Sequence, residues 1–124
     1  MNRTVLIVDP APVMRRVVER SLRLAGLEMQ QVFEASDGQE ALNLVTQQHP
    51  GLVLSELALD GVDGLQLLRQ IRSEEATRTL PLVFVSSQAG EAQVNEALEL
   101  GAQGYIRKPF TADQIKEYIL PLFA

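Results

Sequence analysis

The chain has 124 residues, a formal net charge of -5 and a sequence pI of about 4.8, so it lacks the basic surface that nonspecific binding to nucleic acid or anionic membranes requires. It contains no cysteine, which excludes disulfides, thiolate metal sites and cysteine nucleophiles. No apolar run is long enough for a signal peptide or a membrane span, so a cytoplasmic protein is the expectation.

With 46% hydrophobic and 22% charged residues, a chain of this length suits a single domain over residues 1–124. Such a domain buries roughly two-thirds of its unfolded surface, enough for one real core. Val5–Val8 reads as a buried strand ended by Asp9, with Pro10-Ala11-Pro12 behind it. Pro12 suits the first turn of a helix, where its missing N–H costs nothing. Met14, Val17, Val18, Ser21, Leu22 and Ala25 then recur at helical spacing, with Arg15, Arg16, Glu19, Arg20 and Arg23 mostly on the other, solvated face. Gly26 stops this helix.

Met29–Ala35 is a weaker strand, its apolar Val32 and Phe33 flanked by polar residues as at a sheet edge. Ser36 and Gln39 stand at capping-box spacing and open a helix through Ala41, Leu42, Leu44 and Val45, which ends near His49-Pro50-Gly51. His49 reads as a surface helix-end residue. Leu52-Val53-Leu54-Ser55 is a short apolar strand, and Glu56 follows where it ends. The loop then carries Asp60, Gly61, Asp63 and Gly64, with Gly61 giving it freedom, before Leu65, Leu67, Leu68 and Ile71 return to helical spacing. Leu82–Val85 is the fourth buried run, ending in Ser86-Ser87; Val94, Ala97 and Leu98 mark a helix stopped by Gly101. Gly104–Arg107 is the fifth strand, ended by Lys108-Pro109, and a Thr111–Gln114 capping pair opens a last helix through Ile115, Tyr118 and Ile119.

Five strands alternating with five helices imply βαβ units, right-handed crossovers and a parallel sheet covered on both faces: a three-layer α/β domain. In open α/β sheets the chemistry sits at the carboxyl ends of the strands. Asp9, Glu56, Ser86 and Lys108 all fall on that edge, so two carboxylates, a hydroxyl and an ammonium from distant parts of the chain are expected to converge.

From Val5 to about Ile119 the chain resembles the receiver domain of bacterial two-component response regulators. The resemblance rests on Leu6-Ile7-Val8-Asp9, on Asp63-Gly64 before Leu65, and on Gly101-Ala102-Gln103-Gly104-Tyr105 leading into Lys108-Pro109-Phe110. It implies a flavodoxin-like (βα)5 fold with strand order 2-1-3-4-5. It also implies a phosphorylation site at Asp9, Glu56, Ser86 and Lys108, with Glu56 in the acceptor position where the family has Asp. Family members take a phosphoryl group from a histidine kinase with Mg²⁺, which acidic residues after the first strand, the acceptor and a main-chain carbonyl two residues beyond it (here Ala58) hold in place.

Two departures strike at that chemistry. Pro10 stands where the family usually has a second acid, removing a metal ligand and fixing its own φ. Glu56 adds a methylene and moves the carboxylate outward by about 1.3 Å, and displacements on that scale cost on the order of a hundredfold in reactions that depend on positioning. The acids of an ordinary receiver pocket outnumber its lysine and a divalent cation offsets the surplus, whereas Asp9, Glu56 and Lys108 sum to −1. Lys108 is expected to reach Glu56 directly, which weakens the demand for a metal: Mg²⁺ binding is expected to be weak or absent, with no other cofactor.

The expectation is a non-enzymatic receiver module that is not phosphorylated and works by protein–protein contact, either stand-alone or as part of a longer regulator. Its partners would be a histidine kinase, a phosphotransfer or output protein, or a second copy, without nucleic acid or membrane. Tyr105 and Arg107 share one face of the fifth strand by alternation, and the resemblance makes that face a switch and contact surface. The competing readings are a Mg²⁺-dependent phosphoryl acceptor, a relict site in which Glu56 only keeps a salt bridge, and a flavodoxin-like cofactor binder. The last needs a Gly/Ser/Thr-rich phosphate loop after the first strand, where this chain has Asp9-Pro10-Ala11-Pro12.

Overall fold

Strands form where β-branched and large apolar residues run together, and helices where apolar residues recur at helical spacing. A computed structural model describes residues 2–87 and 90–123. In chain order it contains β1 (Thr4–Val8), α1 (Pro12–Leu24), β2 (Gln31–Ala35), α2 (Gly38–Gln48), β3 (Leu52–Ser55), α3 (Gly64–Ser73), β4 (Leu82–Ser86), α4 (Glu91–Glu99), β5 (Gly104–Arg107), α5 (Ala112–Ile119) and a 3-10 turn over Leu120–Phe123. The five strands pair in parallel in the order β2-β1-β3-β4-β5, so the polar β2 is an edge strand as its composition implied.

Alternation along the strands divides the core into two layers. Leu6, Val8, Val53, Leu82 and Phe84 meet Ala41 and Val45 of α2, Leu67, Leu68 and Ile71 of α3, and Ala97 of α4. Val5, Ile7, Leu54, Val83, Val85 and Ile106 meet Val18 and Leu22 of α1 and Ile115 and Ile119 of α5. Both faces of the sheet are therefore covered, and a parallel sheet needs that because its strands are apolar on both sides. No helix among the described residues is long and apolar enough to cross a membrane.

The helix ends show what the spacing could and could not specify. Thr111 and Gln114 form the expected capping box of α5. At α2 the cap is Asp37 instead of Ser36: the Asp37 carboxylate accepts from Glu40 N at 2.8 Å, and Ser36 Oγ donates to Glu40 Oε2. The helix starts at Gly38, so Ser36 sits one residue too early to reach its first free N–H groups. A third capping box, Asp63 with Gln66, opens α3. His49 ends α2 in the left-handed conformation, exposed as expected.

Three apolar residues assigned to helix core faces are in fact exposed: Val17 at 41%, Leu98 at 46% and Tyr118 at 45%. Each is next in sequence to a buried residue (Val18, Ala97, Ile119), and one position is about 100° around a helix. The buried arcs of these helices are narrower than their apolar arcs.

Candidate functional site

The sheet register brings four chain segments to one edge. Val8 pairs with both Ala35 and Ser55, and Ser86 pairs with Arg107. The ladder continues one step beyond each strand: Asp9 N donates to Ala35 O, Glu56 N to Val8 O, and Lys108 N to Ser86 O. These backbone bonds fix where Asp9, Glu56 and Lys108 leave the sheet.

Their side chains meet. Lys108 Nζ lies 2.6 Å from Glu56 Oε2 and 2.7 Å from Asp9 Oδ2. The expected bridge to Glu56 is present, and the same ammonium also holds Asp9. Glu56 Oε1 accepts from Leu57 N at 2.9 Å, from Ala58 N at 3.2 Å and from Ser86 Oγ. Asp9 Oδ1 accepts from Ala11 N at 2.9 Å. Both oxygens of both carboxylates thus have donors, and Asp9, Glu56 and Ser86 are all buried.

Burial pushes the Glu56 carboxyl toward its neutral form, but the hydrogen bonds from Lys108, Ser86 and Ala58 and the Lys108 charge outweigh it and hold its pKa below the ordinary value. For Lys108, burial disfavours the ammonium, and the hydrogen bonds and charges of Asp9 and Glu56 reverse that, raising its pKa. Each charge therefore stabilises the other, with Asp9 adding to the effect on Lys108.

Two residues contribute here that periodicity could not reveal. Arg15, assigned to the solvated face of α1, instead turns inward: Nη1 donates to Asp9 O at 2.7 Å and Nε to Glu34 Oε1 at 2.8 Å, tying α1 and β2 to the turn that carries Asp9. Gly64 opens α3 directly beneath the loop, where a Cβ would come within 2.8 Å of Leu57 Cα and Phe84 Cε1. The loop after Glu56, expected to gain freedom from Gly61, is fastened by buried Leu57 and Leu59 and by Gly64 N donating to Leu57 O. The apolar side chains supply the anchors that the Gly and Asp content obscured.

A shallow cleft of about 200 Å³ lies over the site, lined by Asp9, Pro10, Ala11, Glu56, Ala58 and Ser87. A larger groove of about 410 Å³ runs between α2 and the end of α3, away from these residues. Tyr105 and Arg107 share the α4-side face of β5; Tyr105 is half-buried with its ring centroid 6.1 Å from Phe84, and Arg107 is exposed.

Fold and site together define a receiver-type α/β module. The chain belongs to the response regulator receiver domain family, whose model matches residues 5–120, and is a receiver domain of two-component signalling. It is 37% identical over 122 residues to chemotaxis protein CheY-3 of Vibrio cholerae serotype O1, covering 98% of this chain and 92% of that one. It is 35% identical over 119 residues to chemotaxis protein CheY of Pseudomonas aeruginosa, covering 96% and 94%. The solved structure of the chemotaxis response regulator CheY4 of Vibrio cholerae superposes with a TM-score of 0.84 over 98% of this chain and 99% of that one; at 22% identity this likeness speaks to the fold.

Proposed function

We propose that this receiver domain transmits its signal by protein–protein contact without being phosphorylated, with Glu56 at the acceptor position acting as a fixed charge. The observation that carries this reading is the engagement of the Glu56 carboxylate. Oε2 is bound by Lys108 and Oε1 by Ser86 and two backbone N–H groups. In the family a Ser or Thr after the fourth strand and a Lys after the fifth contact the phosphoryl oxygens, so Glu56 presents its charge to the same donors. Four donors and the Lys108 charge hold the Glu56 carboxylate in place and draw electron density from it, which makes it a poorer nucleophile toward phosphorus.

The residues present do not fit Mg²⁺. The metal needs near-octahedral oxygen coordination and gives up water reluctantly. Here Pro10 offers no carboxylate, and the Asp9 and Glu56 oxygens are committed to Lys108 and to backbone or hydroxyl donors. Lys108 already supplies the cation between the two acids. The domain is accordingly read as non-enzymatic and free of a cofactor, with a histidine kinase, phosphotransfer protein or output protein as partner and the Tyr105–Arg107 face of β5 as its contact surface.

Amide resonances of Asp9, Ala11, Leu57 and Ala58 followed by NMR through a Mg²⁺ titration test the metal-free part of this reading. No saturable shift at physiological Mg²⁺ is expected; a saturable shift confined to these amides overturns it.

A further inference from the structure

We propose that this domain associates head to tail with further copies of itself, the exposed apolar and basic face of α1 in one copy docking on the exposed acidic face of α4 in the next.

On α1, Val13 (64% exposed), Val17 (41%) and Leu24 (68%) fall on one line of the helix surface, making up most of the large exposed apolar residues among those described. Arg20 and Arg16 run along one side of that line. Their neighbours are already engaged, Arg15 with Glu34 and Arg23 with Glu19, while Arg16 and Arg20 form no ion pair among the described residues. On α4, Glu91, Asn95 and Glu99 recur at a spacing of four along the exposed side, with Ala92 and the exposed Leu98 beside them. Glu96 is engaged by Arg69, and Glu91 and Glu99 form no ion pair among the described residues.

The two faces are complementary in charge, and each offers apolar side chains for the other to cover. A symmetric contact between two α1 faces would set Arg16 and Arg20 against their own copies, and one between two α4 faces would do the same to Glu91 and Glu99, both at a cost. α1 packs on one side of the sheet and α4 on the other, so the two faces point away from each other and cannot meet within one molecule. A contact between different surface patches leaves one of each free on every open complex, so it grows past the dimer, without end or until a ring closes. One helix face on another buries less than a permanent dimer needs, so the association is weak and appears at high concentration.

Sedimentation velocity on the full chain over a wide concentration range tests this. The weight-average coefficient is expected to rise with concentration without levelling at a dimer. The paired substitutions Arg16→Ala/Arg20→Ala and Glu91→Gln/Glu99→Gln sit on exposed helix surface, and unchanged circular dichroism checks their fold. Each variant alone is expected to sediment as a monomer, and the equimolar mixture is expected to form a one-to-one complex that stops at the dimer, because it retains a single intact pair of faces. A monomeric wild type, a variant that associates alone, or a mixture that stays monomeric overturns the proposal.

Discussion

Removing the Lys108 ammonium leaves Asp9 and Glu56 as two buried carboxylates facing each other without a cation, whereas removing the Glu56 charge leaves the Lys108–Asp9 pair whole. Lys108→Met is therefore expected to destabilise the fold by about 3–5 kcal/mol, the range for stripping one partner from a buried ion pair. Glu56→Gln is expected to cost about 1–3 kcal/mol, the range for an altered buried hydrogen-bond group. Urea unfolding of both variants checks the ranking, and a Lys108 variant as stable as wild type contradicts it. The pH dependence follows from the same pair. Glu56, held below its ordinary 4.5, gives stability that is complete above that value and is lost as pH falls through its folded pKa. Lys108, held above its ordinary 10.5, gives stability that is complete below that value and is lost as pH rises through its folded pKa. Unfolding free energy should form a plateau between these limits, and Glu56→Gln should flatten its acid side. The four strand-end residues were legible in the sequence because a polar residue closing an apolar run is a simple signal. Arg15 was not, since an arginine that folds back to a carbonyl and one that points into water look alike in a helical repeat.

α3 is held at both ends by polar contacts. At its start, Asp63 and Gln66 satisfy each other's backbone N–H groups at 2.9 and 3.1 Å. At its end, Arg72 donates to Leu80 O at 2.7 Å, to Gly101 O at 2.8 Å and to Gln103 Oε1 at 3.1 Å, joining the turns that lead into β4 and β5. Asp63→Ala is expected to cost about 1 kcal/mol, the usual loss of an N-cap. Arg72→Met should raise amide hydrogen exchange in residues 100–103 while leaving β1 and β3 protected; exchange that rises evenly across the sheet would contradict a local clamp. Element types and order could be read from the alternation of short apolar runs with helical stripes. Cap positions could not always be, because Ser36 and Asp37 each have a glutamine or glutamate three residues on, and only the backbone decides which one caps. Val17, Leu98 and Tyr118 were misplaced for a related reason: apolar spacing marks a stripe but not how much of it a neighbour covers.

At the scale of the whole molecule, the parallel order β2-β1-β3-β4-β5 sets three distant side chains, Asp9, Glu56 and Lys108, within hydrogen-bond distance at one edge. At that edge this chain carries a proline after Asp9 and a glutamate after β3, with Lys108 between the two acids. The convergence of residues was foreseeable from topology, but the double bridge of Lys108 was not, since strand order gives neighbours without giving side-chain reach. The fixed-charge role proposed for Glu56 is most directly tested by incubating the protein with acetyl phosphate and Mg²⁺ and measuring its intact mass. The expected result is an unchanged mass; a phosphoryl adduct that disappears in Glu56→Ala would contradict it.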